Sequence, residues 1–195
     1  MTEFVGFPKI ARLSRDCIVT EKIDGTNGQI LIDVDTHPGE IRFLVGSKSR
    51  WIDPEHDNFG FAQWAYEHKE ELIQGLGPGR HFGEWWGQGI QRNYGLKEKR
   101  FSLFNVSRWI NSESERANDK QFVKPVCCHI VPIITIGKFD VLDFGHIMAR
   151  FLFEGSHAAP GFMKPEGIVI FHVAGNFGLK KTFEKDEEGK GYGNV

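Results

Sequence analysis

The feature that most restricts the fold is a succession of short apolar, β-branched runs, each cut off by Gly, Pro, Asn or Asp. Cys17–Ile23 and Gln29–Val34 are two such runs, joined by Asp24-Gly25-Thr26-Asn27-Gly28, and the pattern predicts a hairpin. After a turn at Thr36-His37-Pro38-Gly39 comes a third strand, Ile41–Val45. His81–Trp86 and Phe101–Val106 are further strand candidates, flanking a loop over Gly87–Lys99. Ile130–Ile136, interrupted by Pro132, predicts a strand or connector near a sheet edge. Gly167–Val173 and Gly178–Phe183 predict a second hairpin about Ala174-Gly175-Asn176. Helical spacing appears in two places. Phe61, Trp64, Ala65, His68 and Leu72 mark one helix within Asn58–Leu76, with Asn58 as its cap and Gly75, Gly77 and Pro78 as its stop. Leu142, Ile147, Met148, Phe151 and Leu152 mark the other, within Asp140–Phe153. Strands that outnumber helices and arrive in hairpins disfavour parallel βαβ winding. They predict an α+β fold of antiparallel sheets with helices packed outside.

The rest of the chain reads as connection. Phe4–Arg12 is an irregular lead-in punctuated by Gly6 and Pro8, Asn111–Lys120 is a polar loop or short exposed helix, and Lys185–Val195 is a charged, Gly-rich tail. At 195 residues the expectation is one domain over 1–195 with a real core. A formal net charge of −2 excludes a bulk basic field, so nucleic acid would have to be held by a local patch. Three cysteines, two of them adjacent (Cys127, Cys128), make neither a disulfide framework nor a zinc pattern. Reduced thiols and the absence of a signal-like N-terminus or membrane-length apolar run predict a cytoplasmic protein.

Lys22 stands at the end of the first apolar run, just before the turn, where a lysine can be held against a phosphate; the plain alternative is an exposed lysine beside a turn. Downstream, in order, come Ser47-Lys48-Ser49-Arg50, Phe82-Gly83-Glu84-Trp85, Phe101-Ser102-Leu103-Phe104-Asn105-Val106, Glu166-Gly167-Ile168-Val169 and Leu179-Lys180-Lys181. Arg50 offers a planar fork for ribose or phosphate, or is one cation of a solvated loop. Glu84 lies inside an aromatic, Gly-flanked strand, where an unpaired carboxylate would be costly to bury, so it is expected to face a site. Asn27 is a phosphate-oxygen donor or a turn asparagine, and Phe104 is a stacking ring or core. Glu166 leads a buried strand or is a surface carboxylate after Pro165. Of Lys180 and Lys181, adjacent on a strand, one alone can share a face with Lys22.

In this order the blocks resemble the covalent nucleotidyltransferase superfamily, and within it the ATP-dependent RNA ligases of the bacteriophage nick-sealing type, from about Glu21 to about Lys181. The resemblance implies the nucleotidyltransferase (ATP-dependent ligase catalytic core) fold, with antiparallel sheets around an ATP cleft and flanking helices. It implies Lys22 as the adenylated nucleophile, with Glu84, Glu166, Lys180 and Lys181 as its catalytic company. Glu21, Asp24, Asn27, Arg50, Glu84, Phe104, Glu166 and Lys180 would bind the nucleotide, Phe104 by stacking on adenine. Glu84 and Glu166 would be hard oxygen ligands for Mg²⁺ or Mn²⁺. Two departures stand out: Asn105 replaces an aspartate common among relatives, and the family's final motif spaces its two lysines by one residue, whereas Lys180 and Lys181 are adjacent. Lys180 is the one expected beside Lys22.

The activity implied is ATP-dependent joining of a 5′-phosphate to a 3′-hydroxyl RNA end through lysyl-AMP. The alternatives are a DNA ligase, a GTP-using capping-type transferase, or a catalytically silent RNA- or nucleotide-binding module. No C-terminal oligonucleotide-binding domain is expected within the chain. RNA would therefore be held by the core, with Arg80, Arg92, Lys97, Lys99 and Arg100 as cations and Tyr94 or Trp86 as stacking surfaces, or by a partner protein.

Overall fold

The protein is described by a computed structural model covering residues 3–7, 10–35, 39–110, 123–184 and 186. The turn residues Thr36, His37 and Pro38, Pro8 of the lead-in, the polar stretch Asn111–Lys120 and most of the tail lie outside the described residues. The chain divides into two compact units. One takes the chain up to Lys22, Ile133–Ser156 and the chain from Met163; the other takes Ile23–Pro132 and His157–Phe162.

The first unit is a four-stranded sheet in the order β10-β9-β1-β8. Its strands are β1 (Asp16–Lys22), β8 (Ile133–Lys138), β9 (Gly167–His172) and β10 (Phe177–Thr182), all antiparallel to their neighbours. Helix α4 (Phe144–Glu154) covers one face. Asp143 caps it by accepting from the His146 amide at 2.9 Å, satisfying one of the donors that a helix start leaves open. Met148 and Phe151 of α4 pack with Cys17, Val19, Ile134, Ile168 and Ile170. Each side chain of that size, fully buried, contributes about 1.5–3 kcal/mol. The expected hairpin β9–β10 forms, from Phe177 opposite His172 to Thr182 opposite Gly167.

The second unit is a six-stranded sheet in the order β4-β3-β2-β5-β6-β7. Its strands are β2 (Thr26–Asp33), β3 (Arg42–Gly46), β4 (Trp51–Ile52), β5 (Gly79–Gly87), β6 (Lys99–Leu103) and β7 (Cys128–Ile130). All pairs are antiparallel except β6 with β7, which is parallel. Helices α1 (Phe61–Glu67), α2 (Lys69–Leu76) and the short α3 (Val106–Ile110) complete it. Phe61, Ala62, Ala65, Leu72 and Leu76 bury against Ile30, Ile32, Phe43, Val45, Phe101 and Leu103. Gly28 and Gly83, directly paired across β2 and β5, make room for this: a Cβ on either would come within 2.7 Å of the Phe61 or Phe101 ring. One sheet face is thereby filled by helices, and the alternate residues of each strand are left for the other face.

Four sequence expectations are corrected. β1 and β2 do not pair: β1 sits between β8 and β9, and β2 between β3 and β5, so Asp24 and Gly25 connect two sheets and Gly28 lies inside β2. β1 is buried along its length, as a strand with neighbours on both sides should be. The helix expected over Asn58–Leu76 is two helices, broken at His68, whose Nδ1 lies 2.8 Å from the Trp64 carbonyl. Its first turn is held by Asp57, which accepts from the backbone N–H groups of Ala62 and Gln63, while the Asn58 side-chain amide donates to the Thr26 hydroxyl. Finally, Phe104 lies just past the end of β6, although its N–H still bonds the Phe82 carbonyl at 3.0 Å. The Pro132 break behaves as expected, with β7 and β8 on its two sides each an edge strand.

Candidate functional site

Lys22 is the last residue of β1, and its cross-strand partner is Gly167. Glu166, immediately before β9, meets it: Lys22 Nζ donates to Glu166 Oε2 at 2.6 Å, in a part-buried pair. Gly167 lets β10 run close alongside. Its φ is 157°, and a Cβ there would lie 2.2 Å from the Lys181 carbonyl oxygen. Register puts the two lysines of β10 on opposite faces of the sheet. Val169 pairs with Thr20 on one side and Lys180 on the other, so Lys180 shares the Lys22 face of the sheet. Lys181 pairs with Ile168, which pairs with Glu21, and so belongs to the opposite face. There Lys181 donates to Asp186 at 2.9 Å. Glu21 is buried and accepts from the Ser156 hydroxyl at 2.6 Å. Its side chain points away from the Lys22 face.

In the six-stranded unit, Glu84 lies opposite Asn27. It is buried yet well paired: Oε1 accepts from the Gly25 amide and Oε2 from the Asn27 side-chain amide, each at 3.1 Å. These donors offset the cost of burying the carboxylate. Gly25 can approach because it lacks a side chain; a Cβ there would meet the Trp85 carbonyl oxygen at 2.5 Å.

Asp24 is clamped from the other side. Arg92 Nε donates to its carboxylate at 2.9 Å, and the Tyr94 hydroxyl accepts from its N–H at 2.8 Å. Gln91, Asn93 and Tyr94 all hold left-handed backbone angles, a costly conformation for such residues that persists where surroundings enforce it. Tyr94 is buried edge-on against Trp86 and packs on Phe162. Neither Trp86 nor Tyr94 can therefore offer a ring to RNA, and Arg92 is committed to Asp24. Lys99 donates to the Phe59 carbonyl and Arg100 pairs with Glu98.

The face of the six-stranded sheet opposite its helices carries a hollow of about 240 Å³ lined by Asn27, Gly28, Gln29, Ser47, Lys48, Phe82 and Phe104. Phe82 and Phe104 are exposed. Arg50, on the β3–β4 turn, does not line it; its guanidinium reaches the His56 carbonyl at 3.4 Å. Lys48 of the same block does line it. Gln29, Lys48 and Phe82 were not singled out from sequence. The available signal was β2–β5 register, which sequence cannot fix until the partner strands are known.

The RNA ligase family model matches residues 15–183, which include every residue discussed above from Lys22 to Lys181. This chain belongs to the RNA ligase family. None of the curated proteins matches it. Among solved structures it is similar to Naegleria gruberi RNA ligase. To a lysine-to-alanine variant of that protein with ATP and Mn it is 24% identical at a TM-score of 0.56, over 87% of this chain and 49% of the other. A second lysine-to-alanine variant with ATP and Mn gives 22% and 0.59, over 91% and 52%. A glutamate-to-alanine variant with AMP and Mn gives 22% and 0.59, over 91% and 53%. This RNA ligase family member thus spans about half the length of those solved chains, with the same antiparallel nucleotidyltransferase-type fold. Among the described residues there is no helix long and apolar enough to cross a membrane, and no cluster of three or more His, Cys, Asp or Glu that could cage a metal.

Proposed function

We propose that this protein is an ATP-dependent RNA ligase whose first step is adenylation of Lys22. The observation that carries the reading is the Lys22–Glu166 pair at 2.6 Å at the end of a buried strand, with Lys180 on the same sheet face. Lys22 Nζ, having released a proton to become a neutral amine, attacks the α-phosphorus of ATP with its lone pair; the bond to the bridging oxygen breaks, pyrophosphate leaves, and the nitrogen gives a second proton to solvent as the phosphoramidate forms. An RNA 5′-phosphate oxygen then displaces lysine from that phosphorus. Last, a 3′-hydroxyl attacks the activated 5′-phosphate and AMP departs. An ammonium donating to a carboxylate has no lone pair to give, so the ion pair is a resting arrangement. Lys180 supplies positive charge on the nucleophile's face, suited to phosphate oxygens.

Mg²⁺ characteristically takes one or two carboxylates and completes its shell with water and substrate phosphates. Glu166 would be a ligand for Mg²⁺ or Mn²⁺, and Glu84, on the Asn27 face of its sheet, would meet metal-bound water or a ribose hydroxyl. The ion would neutralise phosphate charge and take up the carboxylate now engaged by Lys22. The exposed Phe104 would stack on adenine at the hollow, with Asn27 and Lys48 at its polar side. Asp24 acts as a positioning residue, since Arg92 and Tyr94 already hold it. RNA ends and ATP are the substrates, and three free thiols support a reducing, cytoplasmic setting.

Intact-mass spectrometry after incubation with ATP and Mn²⁺ tests this reading. One added AMP, mapped to Lys22 and absent from Lys22→Ala, is expected. An unmodified wild type, or an adduct elsewhere, would refute it, and label retained from GTP alone would point to a capping-type transferase.

A further inference from the structure

The hollow is one end of a longer feature. Register places Trp51 opposite Gly46, Gly46 opposite Gln29 and Gln29 opposite Phe82, and the Phe104 N–H bonds the Phe82 carbonyl. These residues form one lateral row across β4, β3, β2, β5 and the end of β6, on the face free of helices. Three of them are large aromatics left in water: Trp51 is 46% exposed, Phe82 51% and Phe104 41%. From Trp51 to Phe82 is three strand spacings, about 14 Å. Nothing in the six-stranded core requires these rings to be outside, since that core is already filled on the other face by Phe61, Phe101 and their neighbours. Aligned exposed aromatics of this kind mark an interaction surface.

The charge beside the row says what the surface takes. The Arg80 guanidinium lies 5.2 Å from the centre of the Trp51 ring and also donates to the Gln29 side-chain carbonyl. Lys48 lines the hollow between the two ends of the row, and Arg50 stands exposed on the same turn. A protein with net charge −2 has here cations interleaved with flat rings and a side-chain amide. That combination suits an unpaired polynucleotide, with bases on the rings and phosphates on the cations. A protein segment or lipid surface would not need cations at this spacing between stacking rings.

We propose that Trp51, backed by Arg80, is a base-stacking station for single-stranded RNA. The strand would cross the sheet from the nucleotide hollow towards β4, passing Phe82, with Arg80 and Lys48 at its phosphates. The proposal deepens the ligase reading and rests on it for the identity of the polynucleotide. It replaces the loop cations and the buried rings of Trp86 and Tyr94 as the place where the core grips RNA.

The test is direct binding of a labelled single-stranded oligouridine with a 5′-hydroxyl end, which cannot be ligated, followed by anisotropy. Trp51→Ala is expected to weaken binding about tenfold or more, and Trp51→Phe to restore most of it. Arg80→Gln should flatten the salt dependence by about 0.7 in log–log slope, the contribution of one phosphate contact to a single strand. Should Trp51→Ala not fold, photocrosslinking of 5-iodouridine RNA to wild type decides, with the adduct expected on Trp51 or Phe82. Unchanged affinity in folded Trp51→Ala, or crosslinks confined to other peptides, would overturn the station. The AMP adduct of wild-type Lys22 separates the two readings. An adduct without Trp51-dependent RNA binding sinks the station alone, and Trp51-dependent binding without an adduct sinks the ligase alone.

Discussion

In the four-stranded unit the proposed nucleophile stands at a strand end with one part-buried partner: Lys22 has Glu166, and Lys180, on the same sheet face, is exposed. In the six-stranded unit each corresponding polar group is tied down. Glu84 accepts from Gly25 and Asn27, and Asp24 is gripped by Arg92 and Tyr94. The contrast is one of chemistry. A nucleophile that must exchange partners, giving up its proton and then holding a phosphorus, gains from a single ionic partner that can be drawn elsewhere. Groups that orient a ligand gain from being fixed in advance, because ordering them during the reaction would cost rate.

The largest effect expected from this contrast lies at the two glutamates. Glu166→Gln keeps size but removes the charge, and should slow AMP-adduct formation about 10²- to 10³-fold, the range for losing one directly acting electrostatic group. Glu84→Gln keeps one acceptor for Gly25 or Asn27 and should cost about tenfold, through displaced orientation. Time courses of adduct mass with ATP and Mn²⁺ measure both. Equal losses would erase the distinction between a working partner and a fixed frame.

Next come the two glycines that allow each arrangement. Gly25→Val forces a side chain into the Trp85 carbonyl and should destabilise the six-stranded unit by about 1–3 kcal/mol. Gly167→Ala meets the Lys181 carbonyl at a positive φ and should cost the four-stranded unit a similar 1–3 kcal/mol. Hydrogen exchange resolved by peptide should show deprotection concentrated in the unit that carries the substitution. Uniform deprotection would mean that the two units do not respond separately. Smaller still is the Asp24–Arg92 pair, partly buried on both sides. A double-mutant cycle with Asp24→Asn and Arg92→Gln, read by urea midpoints, should return about 1 kcal/mol of coupling. A value near zero would leave Asp24 no more fixed than Lys22.

How much of this was legible in the sequence follows the range of each interaction. The β9–β10 hairpin and α4 rest on neighbours a few residues apart, and both were read correctly from turn chemistry and helical spacing. The β1–β2 junction was misread because Asp-Gly between two apolar runs is a hairpin signal. What overrides it is distant: the Tyr94 hydroxyl and the Glu84 carboxylate take the backbone N–H groups of Asp24 and Gly25. That Lys180 and Lys181 lie on opposite faces needed only strand alternation. Which face holds Lys22, the place of Lys48 in the hollow and the burial of Trp86 and Tyr94 needed the partner strands themselves. The blocks of chemistry were visible because they are local strings, while the row through Trp51, Gln29 and Phe82 exists only after three separate strands have paired.

The smallest predicted effect concerns His81, which separates the units by pH. It is buried on β5, and its Nε2 lies 2.9 Å from the Gly77 carbonyl, a bond the neutral ring makes as donor. Burial lowers its pKa from the ordinary value of 6.5; the Arg108 charge pushes the same way, while the Gly77 bond opposes. With the folded pKa below the unfolded one, both states are neutral above about pH 6.5 and the residue adds no pH dependence there. As pH falls through that value the unfolded chain takes up the proton first, so stability drops with acidification until the folded ring also protonates. The urea midpoint should therefore fall between about pH 7.5 and 5.5, and fall less in His81→Asn. Exchange protection in the six-stranded unit should carry most of the loss. An identical slope in the variant would remove His81 as its source, and a loss centred on the four-stranded unit would place the acid-sensitive group on the side of the nucleophile instead.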